Sequence, residues 1–121
     1  MIAVIDDDAS VREAVKSLIT SQGLPVRSYS SAEQFLASSD FHLVTCVVTD
    51  IKLEGMSGMQ LQHYLRAARC PAPVILMTAY FDESTRGEAT AHGAAAYLVK
   101  PFSGAELLGE IEKALSSRES P

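Results

Sequence analysis

The sequence predicts an α/β fold, in which helices cover both faces of a five-stranded parallel sheet in one doubly wound, three-layer domain. Short apolar runs rich in β-branched residues alternate with stretches of helical periodicity, which is typical of βα units around a parallel sheet. The length of 121 residues is near the size of one domain. We therefore expect one domain over residues 1–116, with residues 117–121 as a terminal tail or the start of a linker.

Five apolar runs are expected to form the strands. The first, third and fourth are apolar nearly throughout, as strands covered on both faces should be, so they are expected at the centre of the sheet. In chain order the runs are Ile2–Ile5, Pro25–Tyr29, Leu43–Thr49, Val74–Met77 and Ala96–Val99.

Apolar periodicity and capping residues predict the helices between these strands. Asp8 is interpreted as the cap of the first helix, and Ser103 forms a capping box with Glu106 at the start of the fifth. The fourth helix, roughly Asp82–His92, contains almost no large apolar residue. It should be held weakly to the sheet, which makes it either a candidate moving element or simply a solvent-exposed helix of small residues.

Composition excludes several classes of protein. The net charge is −5 and no lysine and arginine cluster is present, so direct binding of nucleic acid is not expected. The apolar start of the chain runs directly into three aspartates, and no apolar stretch reaches about 18 residues, so we expect a cytoplasmic protein without a signal peptide or membrane span. Cys46 and Cys70 have neither a metal-type spacing nor a disulfide pattern, and both are expected to be reduced.

Polar side chains directly follow four of the five predicted strands. Asp6 and Asp7 follow the first strand, Asp50 the third, Thr78 the fourth and Lys100 the fifth. The carboxyl ends of the strands in a parallel βαβ sheet lie on one edge, where ligands bind. We therefore expect these groups to meet at that edge.

The clustered carboxylates of Asp6, Asp7 and Asp50 predict a magnesium site. Neighbouring carboxylates repel each other and lose hydration on partial burial, so the cluster is unfavourable unless a cation neutralises it. Carboxylate oxygens, a backbone carbonyl and waters suit Mg²⁺. Helix capping is the alternative role for acids at the end of the first strand. The histidines lie on scattered elements and give no transition-metal set by their spacing; they are His42, His63 and His92.

Asp50 is the candidate nucleophile of this edge. A carboxylate can attack a phosphoryl group when cationic groups offset the charge on the transferring oxygens. Thr78 could donate a hydrogen bond to one phosphoryl oxygen, and Lys100 could pair with another. Considered singly, Thr78 could be an ordinary strand residue and Lys100 a surface charge, so the functional interpretation depends on the four strand ends together.

Taken in this order, the strand-end motifs resemble the receiver domains of bacterial two-component response regulators. The resemblance covers essentially the whole chain and is to receivers that precede a LuxR-type helix-turn-helix output. It implies a flavodoxin-like (βα)5 fold with strand order 2-1-3-4-5. The motifs that carry it are Val4–Asp8, Val47–Gly58, Ile75–Ala79 and Tyr97–Phe102.

The resemblance also implies roles for individual residues. Asp50 would be the phosphoacceptor, with Thr78 and Lys100 binding the phosphoryl group and Lys100 preceding a cis proline. Tyr97 would be an aromatic switch residue that turns inward as Thr78 moves, and its alternative role is that of a half-buried strand aromatic. Mg²⁺ would be held by Asp7, Asp50 and the backbone carbonyl of Lys52, with support from Asp6 through water.

The loop after Asp50 departs from the pattern of the family. Leu53-Glu54-Gly55 stands where a Met-Pro pair is common, so the loop lacks the fixed φ of proline and gains an acid near the site. Metal affinity and phosphoryl lifetime are expected to depend on this difference. Tyr80 is bulky and could screen the site from water.

The expected function is that of a signalling switch rather than an enzyme. A sensor histidine kinase would phosphorylate Asp50 with Mg²⁺ as cofactor, and the surface of the fourth helix, fifth strand and fifth helix would then control an output, here transcription, with a homodimer as one outcome. The alternatives are a haloacid-dehalogenase-type phosphatase, which Asp6-x-Asp8-x-Ser10 imitates, and a degenerate receiver that acts only as a binding module. An FMN-binding protein is disfavoured, because three aspartates would repel the FMN phosphate.

Overall fold

The computed structural model describes residues 1–119, with side chains up to residue 116, and shows a five-stranded parallel sheet in the order β2-β1-β3-β4-β5. The predicted α/β class and strand order are confirmed. The strands are β1 (Ile2–Ile5), β2 (Val26–Tyr29), β3 (Cys46–Asp50), β4 (Val74–Thr78) and β5 (Ala96–Val99), and the helices are α1 (Ala9–Thr20), α2 (Ala32–Ala37), α3 (Gly58–Ala67), α4 (Glu83–Ala91) and α5 (Gly104–Glu119).

The third strand begins later than predicted. A short 3₁₀ helix, Ser39–Leu43, occupies the start of the apolar run, and the strand itself covers Cys46–Asp50. Leu43 is exposed rather than inserted into the sheet. Apolar composition alone could not distinguish this turn from a strand, because both carry apolar residues. The end of the strand determines the position of Asp50, which lies inside the sheet and pairs in register with Met77 of β4.

The core consists of two layers, one on each face of the sheet. Helices α1 and α5 cover one face through Ile19 and Leu107, and α2 and α3 cover the other through Phe35 and Leu61. Successive residues of the central strands alternate between the two layers, as the pleat of a strand requires. This covering leaves the two edges at the strand ends as the places where polar groups can collect.

Helix α4 is attached to the sheet by very little apolar surface. It extends over Glu83–Ala91 with Asp82 as its N-cap, and Ala89 is its one buried residue. The prediction of a helix with a weak hold on the sheet therefore agrees with the observed burial. A helix with so few buried groups costs little to displace.

The backbone of α5 continues through Glu119, past residue 116, where the sequence predicts a tail or the start of a linker. Residues 120–121 of that segment lie outside the described residues. None of the helices in the described part of the chain is long and apolar enough to cross a membrane.

Candidate functional site

Three of the predicted site residues are in direct contact at the carboxyl edge of the sheet. Lys100, which follows β5, donates hydrogen bonds from Nζ to Asp6 Oδ2 at 3.0 Å and to Asp50 Oδ2 at 2.6 Å. Asp6 is 1% exposed and Asp50 8% exposed. The ammonium group thus stands between two buried carboxylates that come from adjacent strands β1 and β3.

The charges of these groups depend on one another. Burial raises the pKa of the Asp6 carboxyl, an effect that the Asp8 backbone N–H and the Lys100 ammonium partly offset. Burial would lower the pKa of Lys100, but hydrogen bonds to Asp50 and Asp6 outweigh it and raise that pKa instead. Lys100 therefore remains a cation at neutral pH and compensates part of the negative charge of the edge.

The backbone after β3 fixes the orientation of the Asp50 side chain. Asp50 Oδ1 accepts a hydrogen bond from the Lys52 backbone N–H at 2.8 Å, while Oδ2 accepts from Lys100. Gly58 lies against the same strand end, and a Cβ atom at this position would overlap the Asp50 backbone carbonyl. Gly58 is therefore required for the close approach of α3 to β3.

Thr78 lies at the end of β4, and its hydroxyl is bonded to the loop that follows. Its hydroxyl donates to the Tyr80 carbonyl and accepts from the Tyr80 backbone N–H, both at 3.1 Å. Thr78 is 3% exposed, so these two bonds satisfy a hydroxyl that has little access to water. The loop that leads into α4 is thus attached directly to the Thr78 side chain.

The Tyr97 hydroxyl is buried and has no hydrogen-bond partner among the described residues. The ring packs against the core layer formed with α2 and α3, and its edge meets the Phe81 ring at 6.4 Å between centroids. Tyr97 is thus a largely inward-facing aromatic that connects β5 with the start of α4.

The two remaining predicted metal ligands adjoin the site in sequence, Asp7 directly after Asp6 and Lys52 two residues after Asp50. Asp7 is exposed, next to Asp6, and Lys52 contacts Asp50 through its N–H rather than its carbonyl. The Lys100–Pro101 peptide is cis, as the resemblance implies. Asp8 caps α1, accepting hydrogen bonds from the N–H groups of Ser10 and Val11.

Two supporting contacts could not be found from the sequence. Arg12 of α1 donates from Nη1 to the Asp6 carbonyl oxygen at 2.7 Å, which places a guanidinium beside the acidic edge. Glu33 of α2 accepts from the Met56 backbone N–H at 2.8 Å. Glu33 therefore anchors the loop that lacks the usual proline, and Gly55 in that loop has a φ of +77°.

Lys52 and Tyr80 meet across the mouth of the site. Lys52 Nζ lies 4.5 Å from the centre of the Tyr80 ring, a cation–π contact that joins the loop after β3 to the loop after β4. Tyr80 is 68% exposed, so its ring lies outside the core.

The donor set fits a hard divalent cation. The side chains that meet or adjoin at this edge offer carboxylate oxygens from Asp6, Asp7 and Asp50, and one ammonium offsets part of their charge. Oxygen donors with excess negative charge are the environment that Mg²⁺ prefers. The residues present are thus compatible with the magnesium that the sequence predicts.

The sequence places the three histidines on scattered elements, but two of them lie close together in the structure. His63 of α3 and His92 at the end of α4 lie together with Glu88, with ligand atoms within 4.8 Å of one another. Spacing along the chain could not reveal this cluster because the two histidines come from different helices.

Comparison with known proteins gives a consistent result. The model of the family described as "Response regulator receiver domain" matches residues 2–112. The transcriptional regulatory protein TdiR of Thauera aromatica is 36% identical over 115 residues, which are 95% of this chain and 51% of that protein. The transcriptional regulatory protein FixJ of Bradyrhizobium diazoefficiens is 35% identical over 118 residues, 98% of this chain and 58% of that protein.

Solved structures extend the similarity to three dimensions. The crystal structure of FixJ-N superposes with a TM-score of 0.85 at 31% identity, covering 95% of this chain and 92% of that one. A receiver domain protein from Clostridium thermocellum gives a TM-score of 0.90 at 27% identity, over 98% and 95% of the two chains. The chain spans between half and two thirds of the length of the curated relatives named above.

Proposed function

The chain belongs to the family of response-regulator receiver domains of two-component systems, and on this basis we propose that Asp50 accepts a phosphoryl group from a sensor histidine kinase. The observation that carries the proposal is the position of the Asp50 carboxylate. It lies at the end of the central strand β3, between the Lys100 ammonium and the Lys52 backbone N–H. Both donors can stabilise negative charge on the oxygens around the phosphorus.

The proposed reaction forms an acyl phosphate on Asp50. A carboxylate oxygen of Asp50 attacks the phosphorus, the bond from phosphorus to the donor nitrogen of phosphohistidine breaks, and the histidine leaves with its electron pair and takes up a proton. Lys100 then pairs with the phosphoryl oxygens. Mg²⁺, held by Asp6, Asp7, Asp50 and the Lys52 carbonyl, would supply further charge compensation. In this scheme the chain is a switch and not a classical enzyme, since the acceptor is its own side chain.

Phosphorylation is proposed to act on α4 through Thr78. If the Thr78 hydroxyl donates to a phosphoryl oxygen, it must give up its hydrogen bond to the Tyr80 carbonyl. The loop before α4 then loses an anchor, and α4 itself is held by a single buried residue, Ala89. Tyr97 adjoins the same loop through Phe81, so a movement of the loop would reach the predicted switch residue, whose hydroxyl is already buried while Thr78 is bonded to Tyr80.

The surface of α4, β5 and α5 is proposed to pass this change to an output. The relatives reported above are named as transcriptional regulatory proteins, and this chain covers only about half of their length. We infer an output domain of LuxR type that controls transcription, with phosphorylation favouring a homodimer through this surface. Contact with DNA would be made by that output, in the cytoplasm, and not by the receiver.

The proposal is tested by incubating the protein with acetyl phosphate and Mg²⁺ and measuring intact mass. A phosphoryl adduct is expected in the native protein, and it should be absent in Asp50→Asn and absent without Mg²⁺. Asp8→Asn is the matched control, because asparagine also caps helices, and it should be labelled like the native protein.

Two results would contradict the proposal. A native protein that stays unmodified while a known receiver is labelled would indicate a domain that only binds partners. Continued release of phosphate from acetyl phosphate by the Asp50→Asn variant would indicate phosphatase chemistry at another carboxylate, with Asp6 the first to examine.

A further inference from the structure

Two histidines and a glutamate form a cluster between α3 and α4. One ligand atom from each of His63, Glu88 and His92 lies within 4.8 Å of the other two. The imidazole rings of His63 and His92 are 4.2 Å apart between centroids and tilted by 59°. His63 and Glu88 are exposed and His92 is half-buried, so solvent can reach the cluster.

The backbone holds these side chains on facing surfaces. Glu88 and His92 are four residues apart and therefore share one face of the helical turn, and the His92 backbone N–H donates to the Glu88 carbonyl at 3.0 Å. Gln62, the neighbour of His63 on α3, donates from Nε2 to the His92 carbonyl at 3.3 Å. The end of α4 is thus attached to α3 at the cluster.

The cluster is far from the phosphoacceptor edge in the topology of the fold. His92 closes α4, and the segment that follows leads to the amino end of β5, where the Ala95 N–H donates to the Val74 carbonyl. Asp50 is at the carboxyl end of β3, on the other edge of the sheet. An ion bound at the cluster would therefore be separate from Mg²⁺ at the carboxylates.

The donor types select the kind of ion. Imidazole nitrogens suit zinc, copper and nickel, whereas magnesium prefers an all-oxygen set. Two histidines and one glutamate are a known zinc donor set, which leaves a fourth position for water. In a tetrahedral site with bonds of about 2.0–2.1 Å, the ligand atoms are roughly 3.3 Å apart. The present separations are up to 4.8 Å, and the exposed side chains of His63 and Glu88 have room to rotate toward a common ion.

We propose that His63, Glu88 and His92 form a binding site for a transition-metal ion of the zinc class that ties α4 to α3. The ion would supply α4 with an attachment that its apolar surface does not provide, since Ala89 is its one buried residue. The site extends beyond the phosphorylation function and does not depend on it.

The proposal is tested by titrating the full chain with Zn²⁺ in calorimetry, in buffer with excess Mg²⁺ to occupy carboxylate sites. One ion should bind per chain. His63→Ala and His92→Ala should each weaken binding at least tenfold, and His42→Ala, which removes an exposed histidine outside the cluster, should leave it unchanged. Circular dichroism of each variant verifies that the fold is intact.

A second measurement distinguishes a bridge from binding on α4 alone. His63→Ala keeps the Glu88 and His92 pair and removes only the ligand from α3. Zn²⁺ should slow amide hydrogen exchange over Glu83–Ala91 in the native protein and not in His63→Ala. Cobalt should give the intense visible bands of a tetrahedral site in the native protein, and these bands should be lost in His92→Ala.

The proposal is overturned by any of three results. Zinc binding could be absent at micromolar concentrations, it could survive both His63→Ala and His92→Ala, or it could be lost in Asp50→Asn while the histidine variants bind normally. If the ion binds but exchange in α4 is equally slowed in His63→Ala, the bridge between the two helices is refuted.

Discussion

Replacement of Lys100 by methionine tests whether the ammonium group is what makes the buried carboxylates of Asp6 and Asp50 tolerable. Methionine has a similar length and no charge, so the change removes the cation and keeps most of the packing. In the native protein one nitrogen bonds to both Asp6 Oδ2 and Asp50 Oδ2. Without it, two carboxylates on adjacent strands face each other with no cation between them.

The expected loss of stability follows from that geometry. Because Lys100 Nζ is 3.0 Å from one oxygen and 2.6 Å from the other, the two oxygens are no more than about 5.6 Å apart. At an effective dielectric constant of about 20, two unit charges at this distance repel by at least about 3 kcal/mol, a repulsion that the Lys100 ammonium offsets in the native protein and that Lys100→Met leaves uncompensated. This agrees with the roughly 3–5 kcal/mol that breaking a buried ion pair costs. Lys100→Met should therefore lower the free energy of unfolding by about 3 kcal/mol at neutral pH.

Urea denaturation of the unphosphorylated protein without Mg²⁺ measures this loss. Asp6→Asn in the Lys100→Met background should restore most of the stability, because a single carboxylate remains. Lys113→Met is the matched control. Lys113 is exposed and its ion pair with Glu110 lies at the surface, so its loss should change the unfolding free energy by no more than about 0.5 kcal/mol. A Lys100→Met variant as stable as Lys113→Met would refute the reasoning.

The pH dependence of Lys100→Met provides an independent check of the same electrostatics. Burial raises the pKa of Asp6 above its usual 3.8, so the native state holds this proton more tightly than the unfolded state does. The loss of stability caused by a charged Asp6 is therefore complete above the pKa of Asp6 in the folded state, and it disappears as pH falls below the pKa of Asp6 in the unfolded state. The gap in stability between native protein and Lys100→Met should narrow on acidification from neutral pH.

Three further predictions concern packing, hydrogen bonding and acid stability. Gly58→Ala should lower the free energy of unfolding, measured in urea, by about 1–3 kcal/mol, because the added Cβ overlaps the Asp50 backbone carbonyl. Gly109→Ala is the control and should lose no stability, because its Cβ would meet open space. Equal effects of the two changes would contradict the close approach of α3 to β3. Tyr97→Phe should keep or raise stability, by up to about 1 kcal/mol, because the hydroxyl is buried and unpaired among the described residues, and a clear loss would reveal a missed partner. The hydrogen bond from Arg27 lowers the pKa of Asp40, so this pair stabilises the native state above pH 3.8 and loses its effect as pH falls through the folded pKa. The difference in urea midpoint between the native protein and Arg27→Met should therefore shrink in acid. A difference that stays constant with pH would contradict this prediction.

The sheet could be predicted because it follows from the local pattern of apolar residues. The contact of three site residues could be predicted because the ends of parallel strands lie at one edge. Alternation of apolar runs with helical stretches gives the parallel sheet, and parallel strands deliver Asp6, Asp50 and Lys100 to one edge. The rule places residues at an edge but does not determine rotamers. It could not show that the Thr78 hydroxyl bonds to the Tyr80 backbone.

Contacts between elements that are far apart in the chain could not be predicted from the sequence, for a different reason. Glu33 reaches the Met56 N–H from α2, and His63 meets His92 from α3. Each pairing depends on how two helices are set against the same face of the sheet, which a single sequence does not encode in any short pattern. The predicted start of β3 at Leu43 is wrong because Leu43, although apolar, is exposed at the end of a 3₁₀ helix.

In the proposed switch, the link between Asp50 and the outer surface would run through backbone hydrogen bonds rather than through a chain of packed side chains. Thr78 holds the Tyr80 carbonyl and N–H, and only Phe81 and Asp82 separate Tyr80 from α4. If the Thr78 hydroxyl leaves Tyr80 for a phosphoryl oxygen on Asp50, as we propose, both Tyr80 backbone groups lose their side-chain partner just before a helix with one buried residue. Little apolar contact resists displacement of α4, so the loss of these hydrogen bonds would favour its movement. A metal ion between His63 and His92 would oppose the same displacement from the other end of α4.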